Sequence, residues 1–231
     1  METRKKMTRR AFMAAAGGTM VSIGLPGAFI KLVEADNRAF ADQLRPDGRP
    51  RIPPGQRAVK MIRDMGGERP GDDPAGWQLQ INGEVQKPMT LSLEDFMALQ
   101  QVDLTCDVHC VTGWTLLDSL WRGVRMQTIM DLVQVKESAG FVIFDGPGQY
   151  SSNIPISEAR KPNMILAHGF MGKELPDDHG APVRGLVPDR YFYKSVKWVK
   201  GIRFSVEDEP GYYESGGYSN TADPWKEERF D

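Results

Sequence analysis

Two cysteines and a histidine lie close together in the middle of the chain, between Leu104 and Trp114. Cys110 directly follows His109 and precedes Thr112-Gly113, a pair that indicates a turn. The residues before Cys110 alternate between apolar and polar, as in a strand with one buried face. A cysteine at the end of a strand, beside a turn, can present its sulfur to a cavity and bind a metal as thiolate. The alternative is that it serves as a small buried hydrophobic residue, the commoner role of an unselected cysteine.

Cys106 lies four residues before Cys110 on the same predicted strand, so the two side chains share a face if that strand is regular. They would then lie roughly 13 Å apart along the strand, which is too far for a disulfide. Only Cys110 adjoins the turn, where a cavity can open. We therefore expect Cys106 to be packed and its thiol to be inert.

Four blocks of the sequence resemble the sulfite oxidase family of molybdenum enzymes, and most of all its short bacterial branch. The blocks are His109-Cys-Val-Thr-Gly-Trp114 with Trp121-Arg-Gly-Val124, Leu175-Pro176 with His179-Gly-Ala-Pro-Val-Arg184, Lys194-Ser-Val-Lys-Trp198, and the tail from Glu209 to Phe230. They occur in order between about Trp77 and the C terminus. One such motif is a weak signal, but four in register are specific. The resemblance implies an α+β fold of the sulfite-oxidase type, a β-rich molybdopterin-binding domain with short helices.

The same resemblance implies a molybdenum cofactor on a single molybdopterin (Mo-MPT). Its dithiolene supplies two sulfur ligands, and Cys110 stands at the position of the protein thiolate, a soft donor that suits such a metal. The implied cofactor-binding positions are His109, Cys110, His179, Arg184, Ser195, Val196 and Lys197. Arg184 is suited to a bidentate phosphate contact and Lys197 to a point-charge contact. His109 has two interpretations, because it either faces the metal pocket or is a core histidine bonded to the backbone.

By the resemblance, the protein is a mononuclear molybdenum oxidoreductase that transfers an oxygen atom to or from a small sulfur- or nitrogen-centred substrate. Sulfite-oxidising relatives carry a Gly-Asn-Arg type segment after the cysteine, whereas this chain has Val111–Trp114 and no arginine before Arg122. That difference disfavours sulfite. The sequence has no Cys-x-x-Cys-His haem motif, so we expect electrons to pass to an external redox partner, either a cytochrome or a quinone-linked membrane protein.

Two other functional classes remain open at this stage. A zinc enzyme would use Cys106, His109 and Cys110 with His168 or His179, although the second half of such a site lacks regular spacing. A non-catalytic secreted β-rich binding module would need none of these residues. Residues 191–203 could also form a solvated basic strand or a nucleic-acid patch. Both are disfavoured, because the four blocks occur in order and acidic residues outnumber basic ones by 28 to 22 outside residues 1–41.

Residues 1–41 predict an export segment. A basic start leads into Thr8-Arg-Arg-Ala-Phe-Met13, a twin-arginine motif, and then into an apolar run that ends near Ile30. The alternative is a membrane anchor, but Gly17-Gly18 and Pro26-Gly27 make a poor spanning helix. We therefore expect the twin-arginine machinery to export the folded, cofactor-loaded protein to the periplasm.

The rest of the chain predicts a Pro/Gly-rich wrapping segment or linker at 42–76 and one oxidoreductase domain at 77–231. No periodic pattern occurs in 42–76, so no regular element is predicted there. Within the domain the patterns predict strands at 77–81, 101–108, 141–144, 150–155, 164–167, 183–187 and 198–206. Short helices are predicted at 91–99 and 126–135, with a helical turn at 157–160. In the first helix, Ser92 and Asp95 can form a capping box, and Phe96, Met97 and Leu99 are expected on the buried face. Asn82-Gly83 indicates a hairpin that continues at 84–86, and 168–182 resembles a long polar loop.

Overall fold

The structure is a computed structural model that describes residues 43–64 and 76–231. The predicted export segment at 1–41 lies outside the described residues, and so do residue 42 and residues 65–75 of the predicted wrapping segment. Within the described ranges, no helix has the length and apolar character needed to cross a bilayer.

Strands dominate the described chain, and the helices are short. The strands are β1 (Arg57–Val59), β2 (Gln78–Gly83), β3 (Met89–Ser92), β4 (Gln101–Cys110), β5 (Trp114–Arg125), β6 (Phe141–Asp145), β7 (Ser151–Pro155), β8 (Ile165–Phe170), β9 (Lys173–Glu174), β10 (Arg184–Leu186) and β11 (Gly201–Ser205). The α-helices are α1 (Leu93–Ala98), α2 (Met126–Val133), α3 (Ile156–Ala159) and α4 (Tyr212–Ser215). Single 3₁₀ turns cover Asp177–His179, Phe192–Lys194 and Pro224–Lys226. The β-rich fold with short helices that the sequence predicted is confirmed.

The first sheet carries the cysteines. Its order is β1-β5-β8-β10, with β4 paired to β5 and β9 paired to β8. β4 and β5 form a hairpin in which Cys110 pairs with Trp114 across the turn. The register shifts between Cys106 and Val108, opposite Asp118 with its positive φ of 51°. A β-bulge therefore separates the two cysteines and breaks the regular alternation that the sequence pattern assumed.

The second sheet, with the order β3-β2-β11-β6-β7, supports the larger hydrophobic core. On β2, Leu79 and Ile81 are buried while Gln78 and Gln80 are exposed, which is the alternation expected for a strand with one face on a core. The same core contains Val196 and residues of both sheets and of α2. The segment between β10 and β11 packs against this core through Val196 and Val199.

Helix α1 begins at the predicted capping box. The Asp95 backbone N–H donates to Ser92 Oγ at 3.1 Å, and the Ser92 N–H donates to Asp95 Oδ2 at 3.0 Å. Phe96 is fully buried, as predicted. The expectation that Met97 is also buried was wrong, since its exposed fraction is 44%. A one-and-a-half-turn helix buries one narrow stripe, and adjacent residues point about 100° apart.

Three local predictions were wrong. β2 pairs with β3 and not with 84–86, because Gln86 and Lys87 donate backbone hydrogen bonds to the end of α2. The 168–182 segment is not one loop, since β8 extends to Phe170 and returns as β9. The wrapping segment is not free of regular structure, because β1 adds a parallel strand beside the start of β5.

Candidate functional site

A cleft opens where the β4–β5 turn faces β10, the segment after β10 and the tyrosines of the tail. It holds about 620 Å³ of space, counting its open mouth. We call it the central cleft. Its walls are formed by Arg63, Cys110, Val111, Thr112, Tyr150, His179, Arg184, Phe192, Tyr193, Ser195, Lys197, Tyr213 and Tyr218.

Cys110 contributes the thiol of the central cleft. It ends β4, is 6% exposed, and places its Sγ 3.2 Å from Thr112 Oγ1. The turn is closed by a hydrogen bond of 3.0 Å from the Gly113 N–H to the Cys110 carbonyl. Gly113 adopts a φ of 93°, a conformation that glycine reaches without steric cost. The strand end and the glycine turn together hold the thiol at the edge of the cleft.

Arg184 contributes a buried cation on β10. It is 1% exposed, and its guanidinium donates to the carbonyls of His179 at 2.8 Å and Ser195 at 2.7 Å. Its Cζ lies 4.2 Å from the ring centroid of Phe192. No carboxylate among the described residues forms a salt bridge with it. Burial lowers the pKa of Arg184 to about 10, so the group stays charged at neutral pH.

Lys197 contributes a second, more open cation. Its Nζ donates to Asp64 Oδ1 and to the carbonyl of Asp178, both at 2.7 Å. Burial lowers the pKa of Lys197, and the Asp64 carboxylate opposes that effect. The Asp64 side chain is 61% exposed, so this pair reaches solvent.

His179 adds an unsatisfied polar atom to the same wall. Its Nδ1 is buried and has no hydrogen-bond partner among the described residues. Burial lowers the pKa of His179, and the cations Arg184 and Lys197 lower it further. The imidazole is therefore neutral at physiological pH and can still accept or donate one hydrogen bond to a ligand in the cleft.

The opposite wall is aromatic. The ring centroids of Tyr213 lie 5.9 Å from Tyr193, 5.3 Å from Tyr218 and 6.0 Å from Tyr150. Burial raises the pKa of Tyr150, Tyr193 and Tyr213, so these phenols stay protonated. Tyr213 and Tyr218 also line a shallow outer groove beside α4. The tyrosines thus connect the cleft to the protein surface.

The structure brings together five of the seven predicted cofactor-binding residues. Cys110, His179, Arg184, Ser195 and Lys197 all line the central cleft. Val196 does not, because its side chain is fully buried in the larger core. Ser195 also shapes the wall from within, since its Oγ accepts the Val187 N–H at 2.9 Å.

His109 lies outside the cleft wall. It is fully buried, its Nδ1 is 2.9 Å from Thr115 Oγ1, and its ring packs edge-on against Trp225 at 5.0 Å. Burial lowers its pKa to about 3, so the ring is neutral. The ring is as buried as that of a core histidine, but its Nε2 has no hydrogen-bond partner among the described residues, so a contact of His109 with the cofactor stays a prediction.

Cys106 is half-buried, not fully packed, and it lines a different cavity, which it shares with Arg45, Arg51 and Asp107. Burial raises the pKa of its thiol to about 12, which leaves the thiol un-ionised at neutral pH. Across residues 43–64 and 76–231, no three His, Cys, Asp or Glu side chains converge as a metal site. The zinc alternative therefore gains no support from the arrangement of Cys106, His109 and Cys110.

Sequence reasoning missed several cleft residues. Arg63 lies in the predicted wrapping segment, and Tyr193, Tyr213 and Tyr218 lie outside the predicted cofactor-binding positions. The signal for Tyr213 and Tyr218 was the repeated tyrosine of the tail block. The solvated basic strand considered for 191–203 is wrong, because Tyr191, Lys194 and Trp198 are buried.

Comparison with known proteins agrees with this geometry. Residues 66–213 match the family described as the oxidoreductase molybdopterin binding domain. The uncharacterized oxidoreductase YuiH of Bacillus subtilis (strain 168) is 38% identical over 193 residues, covering 83% of this chain and 98% of that protein. The catalytic subunit of the protein-methionine-sulfoxide reductase MsrP of Campylobacter jejuni is 30% identical over 156 residues, and that of Ralstonia nicotianae is 31% identical over 169 residues.

The matched lengths differ between these relatives. The alignments cover 60% and 64% of this chain but only 52% and 51% of the two MsrP proteins, so the chain spans about half of their length. Among solved structures, the sulfane dehydrogenase SoxCD of Paracoccus pantotrophus aligns with a TM-score of 0.57 at 18% identity. That alignment covers 83% of this chain and 56% of the other, and it shows the shared fold. The chain belongs to the oxidoreductase molybdopterin-binding domain family, and it is a sulfite oxidase-like molybdopterin oxidoreductase.

Proposed function

We propose that the central cleft binds one molybdopterin and that Cys110 supplies the protein ligand to its molybdenum. The residues present fit that group. A cysteine thiolate is the soft donor such a metal takes, and guanidinium and ammonium groups suit its phosphate. We assign His179 and Arg184 to the pterin, and Ser195 and Lys197 to the phosphate end. Val196 and His109 support the site from the core.

The observation that carries this proposal is the environment of Arg184. A fully buried guanidinium without a carboxylate partner leaves uncompensated positive charge in the wall of a cleft. The unpartnered Nδ1 of His179 lies in the same wall. Both features favour an anionic, hydrogen-bonding ligand, and the Cys110 thiol reaches the same space.

When bound, the cofactor would supply a centre that moves an oxygen atom together with two electrons. The protein would hold that centre and orient the substrate. Tyr213 stays protonated and lines both the cleft and the outer groove, so its phenol can donate a hydrogen bond to a substrate oxygen. We infer a small sulfur- or nitrogen-centred substrate. The MsrP relatives are protein-methionine-sulfoxide reductases, which supports the sulfur class.

Electrons would be exchanged with a separate partner. The MsrP relatives are described as catalytic subunits, which implies that those proteins work beside another subunit. The present chain contains no Cys-x-x-Cys-His motif for a haem of its own. We infer an external cytochrome or quinone-linked membrane protein as the partner.

The cofactor is tested on purified full-length protein by measuring molybdenum, zinc and pterin content together. We expect molybdenum and a fluorescent pterin in equal amounts, followed by reoxidation of the reduced centre by an S-oxide or N-oxide. Sulfite, nitrate, S-oxides and N-oxides would be compared as substrates. Zinc alone would favour the zinc enzyme, and the absence of both metals and pterin would favour a binding module.

Cys110→Ser tests the metal ligand. We expect loss of turnover and an altered molybdenum electron paramagnetic resonance signal, because a hydroxyl is a harder donor than a thiolate. Cys106→Ala is the matched control, which should leave the signal unchanged. Wild-type activity in Cys110→Ser, or a changed signal in Cys106→Ala alone, would contradict the assignment.

We also propose that the protein is exported by the twin-arginine route to the periplasm. The support is the Arg9-Arg10 pair at the head of residues 1–41. Replacing both arginines by lysine should leave folded, cofactor-loaded protein in the cytoplasm, as measured by fractionation. Normal periplasmic accumulation of the double variant would exclude this route.

A further inference from the structure

The turn that carries Cys110 is held from one side by the segment that precedes β1. Gln56 Nε2 donates to the carbonyl of Cys110 at 3.1 Å. The backbone N–H of Arg57 donates to the carbonyl of Gly113, also at 3.1 Å. Two carbonyls of this four-residue turn are therefore bonded to residues more than fifty positions earlier in the chain.

The C-terminal tail holds the same turn from another direction. Arg229 donates from Nη1 to the carbonyl of Val111, the residue between Cys110 and Thr112. Its guanidinium lies over the ring of Tyr191, with the Cζ atom 5.2 Å from the centroid. Arg229 is therefore fixed by stacking at the same time as it binds the turn.

These two segments also bind each other. Trp225 donates from Nε1 to the carbonyl of Pro50 at 2.7 Å. Its ring lies 4.5 Å from Arg45 Cζ and 3.8 Å from Arg49 Cζ, centroid to atom. A Cβ atom on Gly55 would come within 2.5 Å of Glu227 Oε1, which shows how closely the segments approach. They form one structure, which we call the brace and define as residues 45–57 and 225–229.

The brace leaves the thiol itself free. It bonds to backbone carbonyls of the turn, whereas the Cys110 sulfur contacts Thr112 Oγ1 and lines the central cleft. The position of the sulfur therefore depends on a turn whose backbone is fixed from outside the cleft. Side chains around a metal site that act in this way set the geometry of the ligand without touching the metal.

We propose that the brace positions the Cys110 thiol, with Gln56 and Arg229 as its positioning residues. The importance of this position rests on the proposed role of Cys110 as metal ligand. The positioning of the thiol by the brace does not rest on that role, because it can be measured on Cys110 before any cofactor binds.

The test measures alkylation of Cys110 in full-length, cofactor-free protein carrying Cys106→Ala, so that Cys110 is the only thiol. Arg229→Met removes the bond to Val111 and keeps only the aliphatic part of the side chain. Gln56→Leu removes the bond to Cys110 from the other segment. We expect each substitution to speed alkylation of Cys110 by iodoacetamide about tenfold. With one hydrogen bond fewer, the closed turn is less stable and opens more often.

Arg122→Met is the matched control. Arg122 lies on the same hairpin and pairs with Asp103 at 3.0 Å, but it is exposed and does not contact the turn. In this variant Cys110 should be alkylated at the same rate as in the protein that carries Cys106→Ala alone. In cofactor-loaded protein the two brace variants should broaden the molybdenum electron paramagnetic resonance signal, and the control should not.

Unchanged alkylation in both brace variants, or equal acceleration in Arg122→Met, would overturn the proposal. Thermal unfolding of each variant shows whether it folds. The two brace variants are independent tests, because Gln56 and Arg229 belong to different segments of the brace. If alkylation accelerates but Cys110→Ser keeps the wild-type signal, the brace stands and the ligand assignment fails.

Discussion

Lys194 and Arg184 are equally buried cations that this protein accommodates in opposite ways. Each is 1% exposed. Lys194 Nζ lies 2.6 Å from Glu214 Oε1 and 2.7 Å from Asn153 Oδ1, and Glu214 in turn accepts the Ser152 hydroxyl at 2.6 Å. Among the residues that the structure describes, Arg184 donates only to backbone carbonyls.

The difference separates a structural cation from one that awaits a ligand. A buried charge costs several kcal/mol unless an opposite charge and hydrogen bonds compensate it. Glu214 gives that compensation to Lys194, and the pair fixes α4, which carries Tyr213 at the cleft wall. Backbone carbonyls accept three hydrogen bonds from Arg184, but they do not compensate its positive charge. An anion in the central cleft would complete the second site as Glu214 completes the first.

The largest effect is expected when the structural pair is broken. Glu214→Leu leaves the Lys194 ammonium buried, with Asn153 as its one hydrogen-bond partner in the described part of the chain. We expect the free energy of unfolding to fall by about 3–5 kcal/mol, because removing one member of a buried pair strands the other. Urea denaturation of the full-length protein measures this change.

An exposed pair provides the control for that experiment. Arg203 and Glu209 form a salt bridge with side chains 37% and 43% exposed. Glu209→Leu should cost less than about 1 kcal/mol, since solvent screens such pairs. The double variant Lys194→Met/Glu214→Leu should recover part of the loss. An equal cost for Glu214→Leu and Glu209→Leu would remove the distinction between the two buried cations.

A smaller effect, and of a different kind, is expected at the cleft cation. Arg184→Met should lower molybdopterin affinity by about 10- to 100-fold, the equivalent of one charge-assisted contact. Its effect on unfolding of the cofactor-free protein should be smaller than that of Glu214→Leu, since it removes an uncompensated charge. Pterin and molybdenum content, measured beside urea denaturation, separates the two effects. Full occupancy in Arg184→Met would show that this cation does not anchor the cofactor.

The sequence predicted the elements whose signals are local. The capping box at Ser92, the alternating residues of β4 and the apolar run of β6 depend on neighbours in the chain, and each element was found where expected. The failures were pairings between distant segments. Nothing near Glu84 indicates that the following residues bond to the end of α2, and nothing in 57–59 indicates a partner in β5.

The residues of the central cleft were also predicted where the signal was local and missed where it depended on distant segments. Cys110 stood out because strand, turn and thiol are adjacent in sequence, and the other cleft residues came from the family resemblance. Neither source indicated that the side chain of Val196 faces the core while Ser195 and Lys197 face the cleft. Arg229 and Gln56 act on the Cys110 turn across more than fifty positions, so only the tertiary structure reveals them.

The thiols of Cys106 and Cys110 differ as the two cations do, since one lies away from the central cleft and the other lines it. The expected effect, on the pH dependence of the free energy of unfolding, is the smallest of those predicted. Burial raises the pKa of Cys106 from 9.0 to about 12, so the folded protein keeps a proton that the unfolded chain loses above pH 9. The stability that this proton contributes is complete below pH 9 and is lost as the pH rises toward 12, at about 1.4 kcal/mol per pH unit. Cys106→Ala should cost about 1–3 kcal/mol at pH 7 and should escape this decline. Urea denaturation at pH 8 and pH 10 measures the difference, and the gap between wild type and variant should narrow by about 1.4 kcal/mol. A gap that stays constant over this range would mean that the Cys106 thiol is no more enclosed than a free one, and the contrast with the cleft thiol of Cys110 would fail.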